Sequence, residues 1–115
     1  MKPVLWIASS KDDISALPAP VRASFGYRLH QAQRGEIPLD TKALAQFGAG
    51  VFELREVFDR NSYRLVFVSN LRTAIYVLHA FMKRSKSGIG MPRRDIELIE
   101  ARLRRARALD AEERA

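Results

Sequence analysis

The sequence predicts a small α+β domain with the element order β-α-α-β-β-β-α. Its expected architecture is a mostly antiparallel four-stranded sheet with a helical hairpin and a C-terminal helix. Three observations lead there. A length of 115 residues suits one domain. Three β-branched and aromatic segments follow one another in the second half, separated only by short polar turns. Apolar residues recur at helical spacing before and after that run.

Val4-Leu5-Trp6-Ile7 reads as a short buried strand. Ser9 or Ser10 is placed to cap a helix whose first turn holds Asp12 and Asp13. Pro18 and Pro20 interrupt it. A second helix is expected from about Val21 to Arg34. Val21, Phe25, Leu29 and Ala32 form its apolar stripe, and Gly35 stops it. Residues 36–50 read as a loop pinned to the core by Leu44 and Phe47.

Val51–Phe58, Tyr63–Ser69 and Ala74–Phe81 are the three meander strands. In the middle one, alternation puts Tyr63, Leu65 and Phe67 on one face and Arg64, Val66 and Val68 on the other. By the same count His79 shares a face with Ile75, Val77 and Phe81. Lys83–Met91 is a basic, glycine-containing loop. Pro92 opens a last helix that runs to about Leu109, with Ile96, Ile99, Leu103 and Ala106 turned inward. Residues 1–109 thus form one domain, and the acidic residues 110–115 are expected to fray.

The formal charge is +7, with a pI near 10.4. Such an excess suits a polyanionic partner but does not choose among nucleic acid, acidic protein and anionic membrane. The excess is concentrated. Residues 82–108 hold nine basic and three acidic residues, against ten and seven in residues 1–81. With no cysteine there are no disulfides or thiolate metal sites, and the reducing cytoplasm is the expected location. The longest apolar run near the N-terminus, Val4–Ile7, is too short for a signal-peptide core or a membrane span.

No Walker loop, dinucleotide-binding glycine motif, zincin motif or nucleophile elbow is present. His30 and His79 are the only histidines and the carboxylates are scattered, so neither a metal site nor another cofactor is expected. The remaining chemistry belongs to Lys, Arg, Tyr and His. That set suffices to cleave RNA, whose own 2′-hydroxyl is the nucleophile. Cations then stabilise the phosphorane, and a base and an acid move the protons.

Three places supply such groups. Arg64 stands among valines, where an edge arginine reaching solvent is the ordinary explanation. His79 stands on an apolar strand face, the usual setting of a packed core histidine. Lys83-Arg84-Ser85-Lys86 follows the last strand; it suits a solvated loop and a phosphate grip equally well. Tyr63 and Tyr76 could stack on a base, though strand tyrosines more often pack. Arg93 and Arg94, at the opening of the last helix, complete the phosphate-binding candidates.

The segments GVFELREVFDRNSYRLVFV and AIYVLHAFMKRSKSGIGMPRRDIELIEARL, with WIASSKDD and FGYRLHQAQRG upstream, resemble the HigB branch of the RelE/ParE toxin superfamily, including its phage-derived members. The likeness covers roughly residues 4–108 and rests on the ordered combination of motifs. It implies a microbial-RNase-like fold and a toxin of a type II toxin-antitoxin system. Such a toxin cleaves mRNA at the ribosome without metal, inhibits translation and is silenced by an antitoxin, often of helix-turn-helix type. Arg64 corresponds to the phosphate-contacting arginine of that family. Lys83 and Arg84 correspond to basic active-site groups, and His79 lies in the H-x-F part of the motif. Lys86 is the obvious further cation past the last strand. A gyrase-binding toxin of the ParE type and a non-catalytic phage-derived RNA- or partner-binding module are the alternatives. Both a monomer and an oligomer formed through the antitoxin fit the resemblance.

Overall fold

The computed structural model describes residues 1–83 and 90–114. Its elements are β1 (Val4–Trp6), α1 (Ser10–Ser15), α2 (Ala19–Gln33), β2 (Thr41–Ala43), a 3-10 turn (Ala45–Phe47), β3 (Val51–Phe58), β4 (Asn61–Val68), β5 (Ile75–Lys83) and α3 (Arg93–Arg114). The sheet is five-stranded, in the order β1-β5-β4-β3-β2. Among the described residues only the β1–β5 pairing is parallel. The strand beyond the expected four is β2, inside the segment read as a loop. Three residues of unremarkable composition carry no periodicity signal, and the antiparallel ladder to β3 makes them a strand. Leu44 and Phe47 are buried, so the segment is pinned where expected.

The hairpin between β3 and β4 turns on Asp59 and Arg60 alone, both with positive φ. This is the geometry of a two-residue type I′ turn, whose twist matches that of the flanking strands. Both faces of the sheet are covered. On one, Val21, Phe25 and Leu29 of α2 pack against Leu54, Leu65, Phe67, Ile75 and Val77. On the other, Ile99, Leu103 and Ala106 of α3 pack against Val66, Val68, Tyr76 and Leu78. The central strand β4 is therefore buried from Tyr63 through Val68, and its alternation separates the two layers as predicted.

In β5 the alternation breaks. Val66 pairs with His79, but the next residue, Phe67, pairs with Val77, which leaves Leu78 as the extra residue of a β-bulge. Ile75 and Val77 face the α2 layer; beyond the bulge Ala80 and Met82 take that side. His79 is consequently turned to the α3 side, together with Phe81 and opposite to Ile75 and Val77. The predicted face is corrected by this one-residue insertion. Arg102 of α3 secures the bulge, donating from Nη1 to the Leu78 carbonyl at 2.8 Å.

Ser9 does not cap α1 with its side chain. Its hydroxyl accepts instead from Arg102 Nη2 at 2.8 Å. The C-terminal helix continues through Arg114 rather than stopping near Leu109. Asp110, expected in a fraying tail, is 2% exposed. Its Oδ1 accepts from the Thr73 amide at 2.8 Å and from the Thr73 hydroxyl at 2.6 Å. Among the described residues no helix is long and apolar enough to cross a membrane.

Candidate functional site

Antiparallel register places residues of four strands in rows on the α3 side of the sheet. One row is Lys42, Glu53, Val66 and His79; the next is Arg55, Arg64 and Phe81; Ser62 and Lys83 follow. The helix covers the apolar end of these rows and leaves the charged end as a cleft. Glu53, Arg55, Arg64, Lys42, Phe81 and Lys83 line it.

Arg64 is 8% exposed and Glu53 6%. Arg64 Nε lies 3.2 Å from Glu53 Oε1. Arg64 Nη1 also donates to the Ser62 hydroxyl and, at 3.3 Å, to the Tyr63 carbonyl. Burial lowers the pKa of Arg64, and the attraction of Glu53 opposes that shift. The guanidinium stays charged, because even a lowered arginine remains far above neutrality. Burial raises the pKa of Glu53, against the pull of Arg64, Lys42, Arg55 and Lys83. A carboxyl held above its usual range beside cations suits proton transfer.

Glu53 was not among the residues singled out from the sequence. Its signal is modest: an acidic residue in phase with Val51 and Arg55, on a strand that also carries Glu56. Only the β3–β4 register shows that this face is the face of Arg64.

The predicted candidates divide clearly. Arg64 and Lys83 share the cleft. His79 and Arg94 lie in an adjoining depression that shares Phe81, Lys83 and Pro92 with it. Arg93 is exposed and pairs along its own helix with Glu97 at 3.2 Å. Tyr63 packs on the opposite, α2-facing side of the sheet. Tyr76 is fully buried under α3 with its hydroxyl 2.8 Å from Thr73 Oγ1, so neither tyrosine presents a ring to the cleft. Arg84 and Lys86 lie outside the described residues.

His79 has a distinct environment. Nε2 is 2.9 Å from Asp95 Oδ1, and Nδ1 is 3.6 Å from Asp13 Oδ2. The latter is beyond hydrogen-bonding distance, and Nδ1 is buried without a partner. The ring stacks on Phe81 with centroids 4.5 Å apart. Arg102 Nη1 holds Asp13 at 3.0 Å, so α1, β5 and α3 meet at this cluster. Among the described residues no group of three or more His, Asp or Glu side chains is arranged to hold a metal ion.

No curated protein matches the chain significantly. A family model described as phage-derived protein Gp49-like (DUF891) matches residues 12–104, a span that takes in every described residue of the cleft and of the His79 cluster. The chain therefore belongs to the phage-derived Gp49-like protein family.

Proposed function

We propose that this protein is the toxin of a type II toxin-antitoxin pair, an endoribonuclease that cuts mRNA on the ribosome in the cytoplasm. One observation carries the reading: a nearly buried Glu53–Arg64 pair at the head of a cleft ringed by Lys42, Arg55 and Lys83. A polyanion enters such a cleft readily, and the buried pair gives it fixed hydrogen-bonding groups at the reacting phosphate. The motif resemblance, the family membership and the charge of +7 support the same reading.

In this mechanism Glu53 takes the proton of a substrate 2′-hydroxyl. The resulting oxygen attacks the adjacent phosphorus, and a 2′,3′-cyclic phosphate forms as the bond to the 5′-oxygen breaks. Arg64 and Arg55 stabilise the added charge on the phosphoryl oxygens. Lys83 donates a proton to the leaving 5′-oxygen. Every group required comes from the protein or the substrate. The natural partners under this reading are the ribosome, its mRNA and a cognate antitoxin, which on the family resemblance is of helix-turn-helix type.

The test is induced expression in bacteria, following growth and mRNA ends together, with wild type beside Arg64→Ala and Glu53→Gln. Growth arrest with new cuts in translated messages is expected for wild type only. Arrest without cuts would transfer the assignment to a gyrase-type target, and no arrest would leave a binding module.

A further inference from the structure

Beside the cleft, on the far side of Phe81 and Lys83, lies the open depression of about 580 Å³ that also holds His79, Arg94 and Asp95. This volume accommodates a nucleotide. Its groups are of three kinds. Phe81 offers a partly exposed aromatic ring, oriented by its stack on His79. Asp95 offers a carboxylate fixed by one oxygen: Oδ1 meets His79 Nε2 at 2.9 Å. Arg94 offers an exposed guanidinium without an ion pair among the described residues.

We propose that this depression is a base-binding subsite for the nucleotide next to the scissile phosphate, and that it selects guanine. The nature of the ligand, an RNA nucleotide, rests on the ribonuclease reading above. Lys83 lines both spaces, so a phosphate held at Arg64 has its neighbouring nucleotide at Phe81. Unpaired RNA bases are commonly held by aromatic stacking and by hydrogen bonds to their edges. Guanine alone presents two adjacent donors, N1–H and N2–H, to a carboxylate while presenting O6 and N7 to a guanidinium. Adenine turns its N1 acceptor toward the carboxylate, and the pyrimidines stack less.

The same arrangement gives His79 a role. It is a positioning residue, holding Asp95 by Nε2 and bracing Phe81 with its ring. Asp13 lies on its other side and is itself held by Arg102.

The experiment is amide-resolved NMR titration of the full-length protein with GMP, AMP, CMP and inorganic phosphate. The expected result is GMP-dependent shifts at Phe81, Lys83, Arg94 and Asp95, with AMP and CMP at least fivefold weaker. Inorganic phosphate is expected to shift Arg64 and Lys83 and leave Arg94 and Asp95 in place. Phe81→Leu should weaken all nucleotides, Asp95→Asn should abolish the preference for guanine, and His79→Asn should reduce it. Arg94→Ala should reduce it as well, and this exposed position does not threaten folding. Equal affinity for GMP and AMP, or shifts confined to the Arg64 cleft, would overturn the subsite. Cutting of mRNA with no such guanine binding would sink the subsite and leave the endonuclease standing. Guanine binding in a protein that cuts no RNA would do the reverse.

Discussion

Glu53 and Arg64 face each other across neighbouring strands, 3.2 Å apart, each nearly buried and each at the edge of an open cleft. Under the proposed function the pair joins stability and activity in one place; each side chain neutralises the other in a site that favours neither charge. Arg64→Ala leaves a buried carboxylate without its cation and should cost about 3 kcal/mol. The Arg64→Ala/Glu53→Ala double variant should cost less than the sum of the two single variants. Both should be inactive in mRNA cleavage. Urea denaturation of the four proteins measures the coupling, and strict additivity would contradict it.

The pH dependence of stability has a definite sign at Glu53. Its folded pKa is raised above the ordinary 4.5 by burial. The folded state therefore binds the proton more tightly than the unfolded chain does. The stabilisation linked to this group is complete below the unfolded pKa and is lost as pH rises through the folded one. Glu53→Gln removes that dependence. The stability of the variant relative to wild type should rise with pH from about 4.5 upward, as denaturation at a series of pH values would show.

Arg102 is expected to be structurally important despite its distance from Glu53. It donates to the Leu78 carbonyl left over by the bulge, to Asp13 and to Ser9. Arg102→Met keeps much of the packing and removes all three bonds. A loss of about 2 kcal/mol is expected, within the range for buried groups left unsatisfied. The same variant should disturb the amide resonances of His79 and Phe81, since the bulge that aims them has lost its tie.

Asp110 anchors the last turns of α3 to the turn before β5 through Thr73. Asp110→Ala should lower stability by about 1–3 kcal/mol. It should also speed amide exchange at Thr73 and in residues 107–114 more than at Leu65 or Val66 in the central strand. Uniform exchange changes across the sheet would show that the contact is not local.

Gly50 adopts a φ of +83°, and a Cβ there would fall 2.2 Å from Asn70 Cγ. Gly50→Ala combines left-handed strain with a collision. It should destabilise by about 1–2 kcal/mol, read as a lowered thermal midpoint. Asn70→Ala in the same chain should relieve the steric part only.

The fold class, the two longer helices, the three meander strands and the face that Arg64 occupies are legible in the residues alone. These follow from periodicity: β4 keeps strict alternation from Tyr63 to Val68, and α2 and α3 keep apolar stripes at helical spacing. The resemblance grouped Arg64 with Lys83, and in the folded chain the two line one cleft. The tertiary structure alone decided which carboxylate joins Arg64, where His79 points and whether the C-terminal residues are ordered. Glu53 meets Arg64 through the β3–β4 register, which the two-residue turn at Asp59 and Arg60 fixes once the hairpin closes. His79 faces α3 because one bulged residue, held by an arginine 24 positions away, inverts the alternation after it. Asp110 looked like part of an acidic tail until Thr73 supplied its donors from 37 residues away. For His79 and Asp110 the deciding contact is long-range, and its free energy exists only once the sheet and its two helical layers have come together.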